Sequence, residues 1–173
     1  MKVLLSDALI QHADFFRDAI LAMISNLKKM NKKIPDPLKR AKTIHESIDK
    51  LIKSELERSH IEVACKKGCS GCCSYMDIMA TRDEVKLIKS TLNGKLPKDK
   101  EGHCQFLKDG ACSIYEVRPG ACRKLIATSF PCTKRFVIFP AEVVWSAYVT
   151  VNGGELIHKG NHETSLVERK ANP

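Results

Sequence analysis

The chain has 173 residues, of which 43% are hydrophobic and 28% are charged. These ordinary globular proportions exclude a wholly disordered chain, a collagen-like repeat and an integral membrane protein. Two numbers stand apart, namely eight cysteines and a formal net charge of +9. The cysteines are compatible with disulfides, metal ligands or a catalytic nucleophile, and the charge is compatible with a nucleic-acid partner.

The N-terminal part of the chain carries the pattern of two amphipathic helices. Apolar residues recur every three or four positions over residues 4–30, which is the period of one helical face. Pro35 stops this helix, and Asp36 followed by Pro37 is typical of the N-cap and first turn of another. We therefore predict a helical hairpin over residues 1–62, whose apolar faces are buried against each other and against the remainder of the chain.

The middle of the chain predicts one further helix followed by loops. Thr81 and Glu84 form a capping box that begins the helix, and Asn93 is followed by a glycine that ends it. Residues 95–121 are rich in Gly, Lys and Asp and have little periodicity, which predicts loops and turns.

The C-terminal part predicts a last helix and a tail. The helix is expected to begin near Pro140 and to stop at the glycines after Asn152, because its apolar residues share one helical face. Residues 153–173 are polar and predict a loosely held tail. We expect the two histidines of this tail, His158 and His162, to be solvent-exposed.

The sequence predicts a soluble, cytoplasmic protein with no membrane partner. Asp7 and Asp14 interrupt the apolar residues at the N-terminus, so a secretory signal is not supported. The uncharged runs are far shorter than the ~20 residues needed to cross a bilayer. In a reducing cytosol, cysteines bind metal more often than they form disulfides.

The eight cysteines all lie between residues 65 and 132, and four of them fall in VACKKGCSGCC with the spacing C-x3-C-x2-C-C. The C-x2-C spacing lets two sulfurs reach one tetrahedral ion or one iron–sulfur cluster. Adjacent cysteines point in different directions and favour two centres of four thiols each. Disulfides would require export, and nothing singles out one cysteine as a nucleophile, so metal binding is the predicted role.

Three stretches carry a resemblance to a known family: VACKKGCSGCC, TRDEVKLI, and CQFLKDGACSIYEVRPGACR with a final Cys132. They resemble the YkgJ-type cysteine-cluster family, a zinc- or iron-chelating domain widespread in bacteria, over about residues 61–132. A related cluster occurs in the much longer bacterial flagellin lysine methylases, but no S-adenosylmethionine site is recognisable here. The resemblance implies that every cysteine is a chelating position: Cys65, Cys69, Cys72, Cys73, Cys104, Cys112, Cys122 and Cys132.

Two arginines accompany the second group of cysteines. The guanidinium groups of Arg118 and Arg123 would offset the negative charge of metal thiolates and donate hydrogen bonds to sulfur. The alternative for Arg118 is a surface ion pair with Glu116. Tyr115 is predicted to pack rather than to act as a catalytic acid.

The metal is not decided by the spacing, because zinc and iron both accept four thiolates. Zinc would cross-link a loop-rich region that has few apolar residues. An iron–sulfur cluster would favour a redox role. The predicted fold class is mainly α, with the helical hairpin packed on a small, loop-rich cysteine domain (residues 63–152) that is organised by metal.

The positive charge is largely compensated once thiolates are considered. Eight thiolates add −8 and two divalent ions add +4, so +9 becomes +5. A nucleic-acid surface also needs stacking aromatic residues, which make up only 6% of the chain. The predicted function is a metal-binding or metal-handling module, with an iron-dependent or iron–sulfur enzyme as the alternative. A protein partner stays open, nucleic acid is disfavoured, and no catalytic residue or substrate is indicated.

Overall fold

A computed structural model of the chain describes residues 2–64, 71, 73, 77–98, 103–128 and 135–159. Within these ranges the fold is mainly α, as the sequence predicts. The helices are α1 Lys2–Lys33, α2 Pro37–Ser59, α3 Arg82–Thr91, α4 Gly120–Arg123 and α5 Phe139–Asn152, with a 3-10 helix at Tyr115–Val117. The strands are β1 Ile78–Thr81, β2 Leu107–Lys108, β3 Ala111–Cys112, β4 Leu125–Ala127, β5 Arg135–Val137 and β6 Gly154–His158.

The predicted helix boundaries are confirmed where capping side chains set them. Asp36 begins α2 by accepting a hydrogen bond from the Leu38 backbone N–H at 2.9 Å. Thr81 and Glu84 begin α3 with the reciprocal bonds of a capping box. At the other end of the chain, α5 stops at Gly153, whose φ of +70° suits glycine.

The strands were not predicted, and the predicted tail is wrong where one of them lies. β6 pairs antiparallel with β1, and Thr81 lies opposite Gly154. As a result, Ile157 is buried and His158 is only 1% exposed, although we expected a solvent-exposed histidine in a loose segment. The partner strand is more than 70 residues away, so no local pattern marks this pairing. Residues 160–173, including His162, lie outside the described residues.

The interior is formed by two groups of buried side chains. The first group joins α1, α2, α4 and α5, and it is centred on Ile48, Trp145 and Tyr148. The second group joins β1, α3, β6 and the segment between Cys104 and Ile114. Helix α2 contacts α3, α4 and α5, and helix α1 contacts α5, so both N-terminal helices pack on the rest of the chain. The packing of α1 and α2 against each other as a hairpin stays a prediction.

Candidate metal centre

Four of the eight predicted ligands line one pocket. Cys73 lies in a turn before β1, Cys104 lies before β2, Cys112 lies in β3 and Cys122 lies in α4. The pocket has about 580 Å³ of empty space, counted to its open mouth. Its remaining walls are mostly apolar: Ile78, Phe106, Ile114, Tyr115, Arg118, Pro119 and Leu125.

Backbone hydrogen bonds connect the segments that carry three of these cysteines, Cys73, Cys104 and Cys112. The Cys104 backbone N–H donates to the carbonyl of Cys73 at 2.7 Å, which joins the two segments. The β2–β3 hairpin turns at Asp109 and Gly110, which both have positive φ, and it returns Cys112 to the neighbourhood of the segment that begins at Cys104. The sequence predicted loops and turns here, and this two-residue hairpin is a tight example of them.

The other four predicted ligands, Cys65, Cys69, Cys72 and Cys132, lie outside the described residues. In the part of the chain that the structure describes, no three His, Cys, Asp or Glu side chains lie close enough together to hold one ion. The assignment of all eight cysteines as ligands therefore stays a prediction.

Arg118 lines the same pocket with an unsatisfied donor. Its guanidinium carbon lies 4.0 Å from the centroid of the Tyr115 ring, which is a cation–π contact. Its Nε is buried and has no hydrogen-bond partner among the residues that the structure describes. A buried donor without an acceptor costs about 1–3 kcal/mol. An anionic acceptor within the pocket, such as a metal-bound thiolate, fits this donor, and soft thiol groups are ligands that zinc and iron both accept.

Arg123 has a different environment from Arg118. It donates from Nε to the Arg118 carbonyl at 2.9 Å and from a terminal nitrogen to Asp49 at 2.5 Å. Its other terminal nitrogen donates to the Glu116 carbonyl. These bonds fasten the backbone that carries Arg118 to helix α2. A direct bond from Arg123 to sulfur stays a prediction.

A buried polar cluster around Asp83 was missed by the sequence reasoning. Asp83 accepts two hydrogen bonds from Arg40 at 2.8 Å each and one from the Tyr148 hydroxyl at 3.1 Å. The hydrogen bond to Asp83 raises the pKa of Arg40, and burial raises the pKa of the Tyr148 phenol. Only the capping box drew attention to this turn of α3, because the partners come from other helices.

Part of this chain matches a family of known proteins. Residues 64–142 match the family model CxxCxxCC, whose description reads "Putative zinc- or iron-chelating domain". The resemblance drawn from the cysteine motifs is confirmed over these residues. No curated protein and no solved structure matches the chain. Within the described ranges, no helix is both long enough and apolar enough to span a membrane.

Proposed function

From the match of residues 64–142 to a zinc- or iron-chelating family, we propose that this protein binds zinc or iron through thiolate ligands, as a binding or metal-handling module. The observation that carries the proposal is the pocket, whose walls include four cysteines from separate segments and the guanidinium of Arg118. Thiolates suit both metals and also iron–sulfur clusters. The proposed ligands are Cys65, Cys69, Cys72, Cys73, Cys104, Cys112, Cys122 and Cys132.

Arg118 is proposed to donate its buried Nε–H to a thiolate. The side chain is already oriented by the Tyr115 ring, so little conformational freedom is lost when the bond forms. Hydrogen bonds to charged groups are worth about 1.5–3 kcal/mol. Groups that support metal ligands in this way change affinity by about 10- to 100-fold.

The test is the metal content of the full chain, purified without oxygen. We expect at least one zinc or iron ion per chain by elemental analysis, and a clear loss of metal in Cys104→Ser and Cys112→Ser. Ser113→Ala is the matched control, because it removes the hydroxyl that bonds the Phe106 carbonyl while leaving every thiol in place. Protein without bound metal, or serine variants that keep all of it, would overturn the proposal.

The alternative function is an iron-dependent or iron–sulfur enzyme. It is supported by the chemistry of the pocket walls, since cysteine thiolates hold iron–sulfur clusters and nearby hydrogen-bond donors such as the Arg118 guanidinium tune their reduction potential. A brown protein that contains acid-labile sulfide and is bleached by dithionite would favour this alternative. Colourless protein containing only zinc would favour the binding module.

The cellular setting is also a proposal. We expect a cytoplasmic location, because thiols stay reduced there. A protein partner fits a module that hands over or receives metal. Binding of nucleic acid would require retention on DNA or RNA that falls steeply as salt rises, and we expect no such retention.

A further inference from the structure

The carboxylate of Glu84 lies at a junction of four segments. The residue has no exposed surface, and each of its oxygens accepts two hydrogen bonds. One oxygen accepts from the Thr81 backbone N–H at 2.8 Å and from the Thr81 hydroxyl at 3.0 Å. The other accepts from His45 Nε2 at 2.8 Å and from the Gly120 backbone N–H at 2.7 Å. A carboxylate accepts and does not donate, so His45 is the donor in its bond.

Gly120 is held from its other sides as well. A Cβ atom placed on Gly120 would lie 2.6 Å from Cε3 of Trp145 and 3.1 Å from Cδ1 of Ile48. Hydrophobic side chains therefore pack against the Gly120 backbone, and the Glu84 carboxylate accepts the hydrogen bond from its N–H. Because α4 begins at Gly120, this arrangement sets where the helix starts.

The segment next to Gly120 carries the groups that line the pocket. The Cys122 backbone N–H donates to the Pro119 carbonyl at 2.9 Å, which places Cys122 one turn into α4. Arg118 immediately precedes Pro119, and Arg123 bonds the Arg118 carbonyl at 2.9 Å. A shift at Gly120 would therefore move both Cys122 and Arg118.

We propose that Glu84 is a positioning residue for the metal centre. Together with His45 of α2, it holds the turn that carries Arg118 and Cys122, so the placement of both groups in the pocket depends on the Glu84 carboxylate. The proposal rests on the proposed function.

Asp83 provides a matched comparison, because it is the adjacent residue on the same turn of α3. Its carboxylate is also buried and hydrogen-bonded, but it joins Arg40 of α2 to Tyr148 of α5 and has no bond to Gly120. Asp83→Asn and Glu84→Gln each replace a buried carboxylate by an amide of the same shape. Each amide also places an N–H donor where the native carboxylate oxygen accepts a hydrogen bond.

The first experiment compares these variants in the reduced full chain. Zinc affinity is measured by competition with a chromophoric chelator, and the thermal unfolding midpoint is measured on metal-free protein. We expect both variants to lower the midpoint. Glu84→Gln should weaken zinc binding by about 10-fold or more, and Asp83→Asn should leave it within about 2-fold. Equal zinc affinities in the two variants would overturn the proposal.

The second experiment separates the proposal from the proposed function. Amide hydrogen exchange is followed in metal-free protein, in peptides that span residues 120–124. We expect faster exchange in Glu84→Gln and in the milder His45→Gln, but not in Asp83→Asn. Unchanged exchange in both Glu84→Gln and His45→Gln would overturn the positioning role. Wild-type protein that binds no zinc or iron would overturn the proposed function alone.

Discussion

Gly120→Ala tests the packing around the start of α4, the helix that carries Cys122. The added methyl carbon would lie 2.6 Å from Cε3 and 3.1 Å from Cζ3 of Trp145, and 3.1 Å from Cδ1 of Ile48. Forcing a methyl group into a packed core costs about 1–3 kcal/mol. Alanine recovers up to about 1 kcal/mol through its higher helix propensity. Because 2.6 Å is shorter than real Cβ contacts, the upper part of the steric range applies, about 2–3 kcal/mol. After the gain in propensity, we expect the free energy of unfolding to fall by about 1–2 kcal/mol.

The assay is chemical and thermal unfolding of metal-free, reduced protein. For a chain of this size, the expected loss lowers the unfolding midpoint temperature by about 2–8 °C. A double-mutant cycle with Trp145→Leu isolates the steric term, because leucine has no atom at the Cε3 or Cζ3 positions. The cost of Gly120→Ala should be about 1 kcal/mol smaller in the Trp145→Leu background, since the coupling of contacting residues is usually 0.5–3 kcal/mol.

The refuting result is specific. If Gly120→Ala is as stable as the wild type, or more stable, the higher helix propensity of alanine outweighs the steric cost of its contacts with Trp145 and Ile48. Gly120 is then not tightly enclosed. If the cost is the same with and without the Trp145 ring, the ring is not the source of the clash. Either outcome would also weaken the role given to Gly120 in positioning Cys122.

Three further predictions follow from individual contacts. Arg40→Met is expected to destabilise the fold by on the order of 3 kcal/mol in urea unfolding, because it leaves Asp83 as a buried carboxylate without its ion-pair partner. The control is Arg58→Met, which should change stability little because Arg58 belongs to an exposed ion pair. Asp36→Ala is expected to cost about 1 kcal/mol in the same assay through loss of the α2 cap, and an unchanged midpoint would contradict it. Burial raises the pKa of the Tyr148 phenol above its usual 10, so the stability that this phenol contributes is complete below pH 10 and falls as pH rises further. Tyr148→Phe should therefore lessen the loss of stability at alkaline pH. An unaltered dependence of stability on alkaline pH would count against this assignment.

The predictions that succeeded depend on signals lying within one turn of a helix. Asp36 with Pro37 begins α2, and the capping box from Thr81 to Glu84 begins α3, because each cap is a bond between residues two or three apart. The chelating family could likewise be recognised, since its cysteines are closely spaced in sequence.

The features that were missed depend on partners far apart in the chain. The burial of His158 follows from the pairing of β6 with β1, and a strand of five residues bears no mark of its partner. Glu84 was visible only as a cap, although the same carboxylate also meets His45 and Gly120. Such contacts are decided by how helices pack, which local periodicity does not encode.

The sequence by itself therefore determined the helices with their caps and the presence of a cysteine cluster, because each of these signals depends on residues that are close together in the sequence. Only the tertiary structure decided which cysteines share a pocket with Arg118, and that α2 is fastened to the turn carrying Cys122. The physical reason is that buried polar groups must find partners. For Glu84 and Arg123, the partners that join them to other helices lie 36 to 74 residues away along the chain.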